Sequence, residues 1–213
     1  MRFSVKLLES NAEIQNIILT QIRDIISPAI DKAMHYLRSE IKIIVEQALK
    51  SEPEYTSLIS GKLRADFGIP DVGAVDSVVS ALVNTLEIQQ KPIDIKRNGL
   101  SGGFSLYMMR SSDIGGVIGL DIASSKDPAG YSLPWLEWLL LKNNETIVKN
   151  YDVKYGSSPS SRSGFGIMVP SSNDWRVPAE FAGSESSNWT TRAIERSENN
   201  IYSTIQRAIE KYL

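Results

Sequence analysis

Residues 11–50, NAEIQNIILTQIRDIISPAIDKAMHYLRSEIKIIVEQALK, carry the most decisive pattern in the chain. Ile14, Ile17, Ile18, Ile22, Ile25 and Ile26 follow a Ser10–Asn11 start signal and recur at the three- and four-residue spacing of one helix face. The stripe resumes through Ala33, Met34, Leu37, Ile41, Ile44, Val45, Ala48 and Leu49. Proline cannot donate its backbone N–H and disfavours helix at the preceding residue, so Ser27–Pro28 predicts a kink or a break, with Ser27 capping a second segment. A helix of about 38 residues would run roughly 57 Å at 1.5 Å per residue, longer than a small domain is wide. Two outcomes stand. Either the Pro28 break folds the stripe into two ordinary core helices, or residues 10–50 form a helical arm that projects in part and needs a second surface to cover its isoleucines.

Upstream, Phe3, Val5 and Leu7 alternate with polar residues and predict a short strand over residues 2–7. Downstream, residues 51–70 mix turn signals with a compact segment containing Ser60-Gly61-Lys62-Leu63-Arg64. A helix is expected from Asp71, with Val72, Val75, Val78, Val79, Leu82, Val83 and Leu86 at helical spacing. The character then turns to β: Ile88, Ile93 and Ile95, then Phe104 to Met109, then Gly116 to Ile122, with Asn98–Gly99 and Gly102–Gly103 as turns. A short apolar helix opened by Pro134 carries Trp135 and Trp138. Strands near 146–155 and 165–170 flank a serine- and glycine-rich connector, residues 156–164, that predicts a mobile surface loop. Ser187 or Asn188 caps a last helix with Ala193, Ile194, Ile201, Ile205, Ala208 and Ile209. Together these segments predict one α+β domain: a long N-terminal helical region, a central antiparallel β-meander packed by helices, and a C-terminal helix.

Composition closes several classes of chemistry. The 213 residues include no cysteine, which rules out disulfides, thiolate zinc sites and a Cys nucleophile. The single histidine, His35, has no visible partner constellation, and we read it as a surface or boundary residue. Lys and Arg total 23 against 25 Asp and Glu, a net charge of -2 that lacks the basic excess of phosphate-gripping nucleic-acid binders. No apolar run approaches the roughly 20 residues that span a bilayer, and the amino terminus has no signal-peptide core, so neither membrane insertion nor export is expected.

No motif assigns a reaction. Asp113, Asp121 and Asp127 lack EF-hand spacing, and the glycine groups at 99–103 and 115–119 lack the residues of a phosphate loop. Asn144-Glu145-Thr146 and Asn188-Trp189-Thr190 match the glycosylation pattern, but without a secretory signal they read as coincidences. No cofactor and no metal is expected. The residues that invite a partner are Ile14, Ile18, Ile22 and Ile25, then Trp135, Trp138 and Trp175 as aromatic anchors, and Arg162 in the serine-rich connector. For the tryptophans, core packing is the main expectation and anchoring at a subunit interface the second.

The order of segments resembles the neck, head–tail connector and tail-completion proteins of tailed bacteriophages. The turn Ser60-Gly61-Lys62-Leu63-Arg64 is similar to that family's Thr-Gly-x-Leu-Arg turn, differing at Ser60 and in the following Ala65-Asp66-Phe67-Gly68. Leu133-Pro134-Trp135-Leu136-Glu137-Trp138, Tyr151-Asp152-Val153, Ser163-Gly164-Phe165-Gly166-Ile167-Met168-Val169-Pro170, Trp175-Arg176-Val177-Pro178 and Asn188-Trp189-Thr190-Thr191-Arg192-Ala193 look like a block of virion structural proteins. The resemblance covers roughly residues 50–213. It implies a non-enzymatic subunit of a homo-oligomeric ring, hexameric or dodecameric, in the virion neck or tail after assembly in the host bacterial cytoplasm. Its neighbours would be the portal or adaptor complex and the tail tube or tail terminator, with DNA passing through the channel without sequence-specific binding. Two other readings compete: a hydrolase working through Asp113, Asp121 and Glu137, and a soluble adaptor that binds a partner through its N-terminal helix.

Overall fold

A computed structural model describes residues 10–97, 99–126 and 130–213. The expected strand over residues 2–7 lies outside them. The fold is α+β, with a long N-terminal helix, antiparallel strands in small sheets and a C-terminal helix. The chain divides into two compact units, Met1–Ile41 with Glu87–Tyr107 and Tyr202–Leu213, and Lys42–Leu86 with Met108–Ile201. Each is described by itself.

Helix α1 spans Asn11–Ser51, and the division between the units falls within it. It begins in a capping box: the Ser10 backbone N–H donates to Glu13 Oε2 at 2.7 Å, and the Glu13 N–H donates to Ser10 Oγ at 3.3 Å. The expected break at Pro28 does not occur, because the helix runs through it. An interior proline costs a helix about 3 kcal/mol. Burial of Ala29, Ile30, Ala33 and Met34 immediately afterwards offsets that cost.

The first unit is built on the middle of α1, where Ala29, Ile30, Ala33, Met34, Leu37 and Ile41 are buried. Strands β1, Glu87–Lys96, and β2, Gly99–Tyr107, pair antiparallel as a hairpin, and Asn98, expected with Gly99 in a turn, lies outside the described residues. Only Ile88 of the hairpin's described residues is buried, and Gln90 Nε2 donates to Asp31 Oδ1 at 2.7 Å. The register shifts between Lys91 and Asp94, where Pro92 has no N–H for the ladder. Gly102, expected in a turn, instead lies inside β2 against this bulge, and a Cβ there would come within 2.7 Å of the Pro92 carbonyl oxygen. Gly102→Ala is therefore expected to open the bulge, lowering stability by about 1–3 kcal/mol in urea unfolding. An unchanged midpoint would show that the bulge yields freely. The last residues of helix α7, which spans Trp189–Glu210, also belong to this unit and bury Thr204 and Ala208.

The second unit holds most of the core. Residues 51–70, expected as turn-rich chain, form two short helices, α2 over Pro53–Ser60 and α3 over Lys62–Phe67. Arg64 explains how so short a pair closes: its guanidinium donates to the carbonyls of Ile59, Ile69 and Pro70 at 2.9, 3.2 and 3.1 Å, satisfying groups that the helix ends leave open. Helix α4, Val72–Asn84, begins as expected, with Asp71 Oδ1 accepting from the Gly73 N–H at 2.9 Å. Helices α5, Ser111–Ile118, and α6, Trp135–Leu140, follow. The expected strand at 116–122 is helical instead, ending in a 3₁₀ turn over Asp121–Ala123. The run of apolar residues and glycines did not separate the two states, and Asp113, which accepts from the Arg110 N–H at 3.1 Å, closes the helix start.

Among the described residues the strands form no single meander. They form separate two-stranded antiparallel ladders: β1 with β2, β3 (Ser125–Lys126) with β4 (Ser132–Leu133), β5 (Thr146–Val148) with β8 (Trp175–Arg176), and β6 (Tyr151–Tyr155) with β7 (Gly166–Pro170). The strand expected over 146–155 is split at Asn150, whose φ of 57° is left-handed. Helix α7 starts where expected. Asn188 Oδ1 accepts the N–H groups of Thr190 and Thr191 at 3.0 and 3.2 Å, while Thr191 Oγ1 accepts the Asn188 N–H at 2.7 Å.

Trp189, fully buried, donates its indole N–H to the Leu49 carbonyl at 3.0 Å, one of the open carbonyls at the end of α1. Beside it the start of α2 brings two buried carboxylates to α7. Glu54 pairs with Arg192, and Glu52 Oε2 lies 2.9 Å from Arg196 Nη1. Burial, reinforced by neighbouring Glu54 and opposed by Arg196 and Arg192, pushes the Glu52 carboxyl above its usual range.

Candidate functional site

The isoleucine stripe divides into two parts of opposite fate. From Ala29 onward it is core. From residue 11 to 28 no side chain is buried, and Ile17, Ile18, Ile22 and Ile25 are 56, 53, 39 and 62% exposed. Ile14, on the same face, is half-buried. Four large aliphatic side chains exposed on three consecutive turns exceed the scattered surface apolars of an ordinary monomer.

The aromatic candidates lie elsewhere. Trp135 is 1% exposed, donates its indole N–H to the Ile122 carbonyl at 3.1 Å, and packs 6.3 Å from the Phe67 ring. Trp175 is 5% exposed and meets Phe67 edge-on at 6.2 Å. These two tryptophans are core of the second unit rather than surface anchors, because Phe67 from α3 offers both an aromatic partner. Trp138, one turn further along α6, is half-buried.

Arg162 is exposed, but the connector around it is tied down rather than loose. Its guanidinium covers Gly68, whose φ of 61° is the left-handed conformation that ends α3, so closely that a Cβ there would lie 2.8 Å from Nη2. Ser161 Oγ donates to the Gly166 carbonyl at 2.6 Å and accepts the Gly166 N–H at 3.2 Å, and Ser163 is buried. Polar composition predicted mobility; hydrogen bonds from those same serines to the backbone fix the loop.

The carboxylates of the hydrolase reading have local partners. Asp113 caps α5, Asp121 lies 3.2 Å from Lys126, and Glu137 lies 3.3 Å from Lys142. Asp127 is outside the described residues. His35 lines a polar hollow of the first unit with Asp31, Arg38, Glu87 and Gln90. No group of three His, Asp or Glu side chains among the described residues could hold a metal ion. No described helix is long and apolar enough to cross a membrane.

The second unit also contains a feature absent from the sequence reading. A recess of about 340 Å³ is lined by Asp66, Asp152 and Asp174, with Tyr155 and Trp175 beside them and the exposed Lys62 and Arg176 at its edge. Asp66 is 5% exposed. Its Oδ1 accepts the Tyr155 hydroxyl at 2.6 Å, whereas Oδ2 has no hydrogen-bond partner, and neither has the Trp175 indole nitrogen. Burial pushes the Asp66 carboxyl up to about 6; the Tyr155 hydroxyl, Lys62 and the Trp175 indole pull it down, and Asp152 adds to the rise. The Tyr155 hydroxyl is also pushed up, by burial first and then by Asp66. In sequence Asp66 is one acidic residue in Ala65-Asp66-Phe67-Gly68, and only the placement of β6 and β8 against α3 makes it a buried charge.

Against known proteins the chain matches no family model, no curated protein and no solved structure.

Proposed function

We propose that this chain is a structural subunit of a tailed-bacteriophage particle, a ring-forming neck, head–tail connector or tail-completion protein that joins the portal complex to the tail. The observation that carries the reading is the uncovered isoleucine face of residues 11–28 on α1. Full burial of an isoleucine is worth about 1.5–3 kcal/mol, so covering side chains already about half exposed contributes roughly 1 kcal/mol each, repeated in every copy. That sum suits an assembling surface and has no evident use in a solitary chain. The segment order supports the same reading through its resemblance to neck proteins, from the Ser60–Arg64 turn to the Asn188-Trp189-Thr190-Thr191-Arg192-Ala193 helix start.

The work of such a subunit is geometric. Copies related by rotation close a collar around a channel, and surfaces outside the collar hold the rings above and below. With a net charge of -2 the subunit would let DNA pass without gripping its phosphates. Negative-stain imaging of the purified full chain, alone and mixed with the portal, adaptor and tail proteins encoded beside it, tests the role. Rings that bind one of those partners are expected. Monomers that bind none of them contradict it.

A further inference from the structure

The first unit leaves one sheet edge without a neighbour. Strand β1 lies along one side of β2; along the other, among the described residues, no strand pairs with it and no further backbone group hydrogen-bonds to it. Soluble proteins blunt such edges with charges, proline or a bulge. Strand β1 carries all three: Glu87, Lys91, Asp94 and Lys96, then Pro92, then the register shift that sets Pro92 and Ile93 opposite Gly102 alone. Strand β2 has no charged residue and no proline, and the extra residue of the bulge belongs to β1. A two-stranded hairpin is marginal by itself, and this one buries only Ile88.

The order of residues along that edge is a second, independent observation. Leu100-Ser101-Gly102-Gly103-Phe104-Ser105-Leu106 reads nearly the same in both directions about Gly103. Antiparallel pairing with a second copy, centred there, sets Leu100 opposite the partner's Leu106, Ser101 opposite the partner's Ser105 and Gly102 opposite the partner's Phe104. Each is a favourable cross-strand pair: aliphatic on aliphatic, hydroxyl on hydroxyl, and a ring over a residue with no side chain. Leu100, Phe104 and Leu106 share one face of β2 and are half-buried in a single copy, so the pairing would cover them further. A slip of one residue would set Leu100 against the partner's Ser105 and mix the apolar and polar faces. No charge of the edge opposes a second copy, because it has none.

We propose that β2 is a self-pairing edge: two copies join it antiparallel across a twofold axis at Gly103, turning two hairpins into one four-stranded sheet. Strand order becomes β1, β2, then the partner's β2 and β1, with the blunted β1 edges outermost, where they stop further addition. The contact is isologous, each copy offering the same strand. It goes beyond the neck reading and does not depend on it, since the α1 isoleucines take no part. Six or twelve chains that also used this contact would be three or six pairs.

Disulfide cross-linking of the full chain decides it, because the chain has no cysteine and an introduced thiol reports without background. Ser101→Cys and Ser105→Cys are single variants at positions that are not buried. In the proposed register like positions lie four residues apart, about 13 Å, whereas 101 and 105 of two copies face each other at about 5 Å. Oxidised in equal mixture, the two variants are expected to give a covalent dimer in at least tenfold higher yield than either alone. Equal yields alone and mixed overturn the contact, and so does the absence of a dimer throughout, the result if the edge serves another protein's strand. Ser101→Lys/Ser105→Lys, which sets lysines opposite each other twice, is expected to weaken association at least tenfold in sedimentation velocity; it is made in the Ile18→Asp/Ile25→Asp background, where α1 no longer contributes, with circular dichroism verifying the fold. Undiminished association overturns the contact. Cross-linked pairs of a chain that binds no neck component would uphold it and overturn the neck reading alone.

Discussion

Arg192→Ala is expected to lower the stability of the protein by about 3–5 kcal/mol, the largest loss anticipated for any single charged side chain. Its partner Glu54 is wholly buried at the start of α2, and Glu54 Oε2 has no hydrogen-bond partner even with the arginine present. Removing the guanidinium leaves that carboxylate without a counter-charge or strong donor in a poorly polarisable surrounding, and desolvation dominates the cost. Arg192→Lys should recover part of the loss by restoring charge but not the planar donor geometry. Replacing both partners together, Glu54→Leu with Arg192→Leu, should cost far less than the single change, since no charge is then stranded. By contrast Arg196, 64% exposed, pairs with Glu52 through a side chain that water can reach, and Arg196→Ala should cost about 1 kcal/mol or less. Urea midpoints for the four variants measure the ordering. A loss below about 1 kcal/mol for Arg192→Ala would show that α2 opens to let water reach Glu54.

Asp66→Asn should do the reverse and stabilise the protein at neutral pH. The folded-state value of about 6 lies above the usual 3.8, so between those two pH values the folded chain holds a proton that the unfolded chain has released. Stability due to this group is therefore full below about pH 4 and falls as pH rises to 6, by about 3 kcal/mol in all at 1.36 kcal/mol per unit. Asparagine carries no charge to desolvate and can still accept the Tyr155 hydroxyl. The variant should exceed the wild type by about 1–3 kcal/mol at pH 7.5 and match it near pH 4, with the difference opening between. Glu52 titrates in the same sense and Glu13 in the opposite one, but both are common to the two proteins and cancel in the comparison. Urea midpoints at pH 4, 5, 6 and 7.5 test this. A variant less stable than the wild type at pH 7.5 would mean that the carboxylate has a compensating partner.

The helices with a complete local code were legible in the sequence. The α1 stripe, the Asp71 cap and the Asn188 cap each pair a start signal with a periodic apolar face, and each helix forms where those signals place it. Where the code is incomplete, the reading failed for identifiable reasons. Residues 53–67 became two helices because Arg64, Ser57 and the surrounding core satisfy backbone groups that no short segment satisfies alone. The Leu63 N–H finds Ser57 Oγ at 3.0 Å, a contact across six residues with no signature in composition. The run from Gly116 to Ile122 suggests a strand, but the Asp113 cap and burial of Val117 favour helix. The longer strands were found but not their grouping, since strands of two to ten residues take their partners from tertiary placement.

Of the candidate contact residues, Ile18, Ile22 and Ile25 could be read as a face but not as an exposed one, because the same periodicity continues without change into the buried part of α1. Trp135 and Trp175 could not be placed without knowing that both rings meet Phe67 of α3. The Asp66 recess was illegible altogether, since its carboxylates come from α3, β6 and the turn before β8.

The central claim is that the isoleucines of residues 11–28 are covered by copies of the chain or by adjoining particle components. Light scattering of the full chain across a hundredfold concentration range, beside Ile18→Asp/Ile25→Asp, tests it most directly, because neither side chain supports the fold of a single copy. The account predicts six or twelve chain masses for the wild type and, for the folded variant, a loss of that assembly. A wild type that remains at one chain mass, with those isoleucines open to solvent and without effect on any neck component, would contradict it.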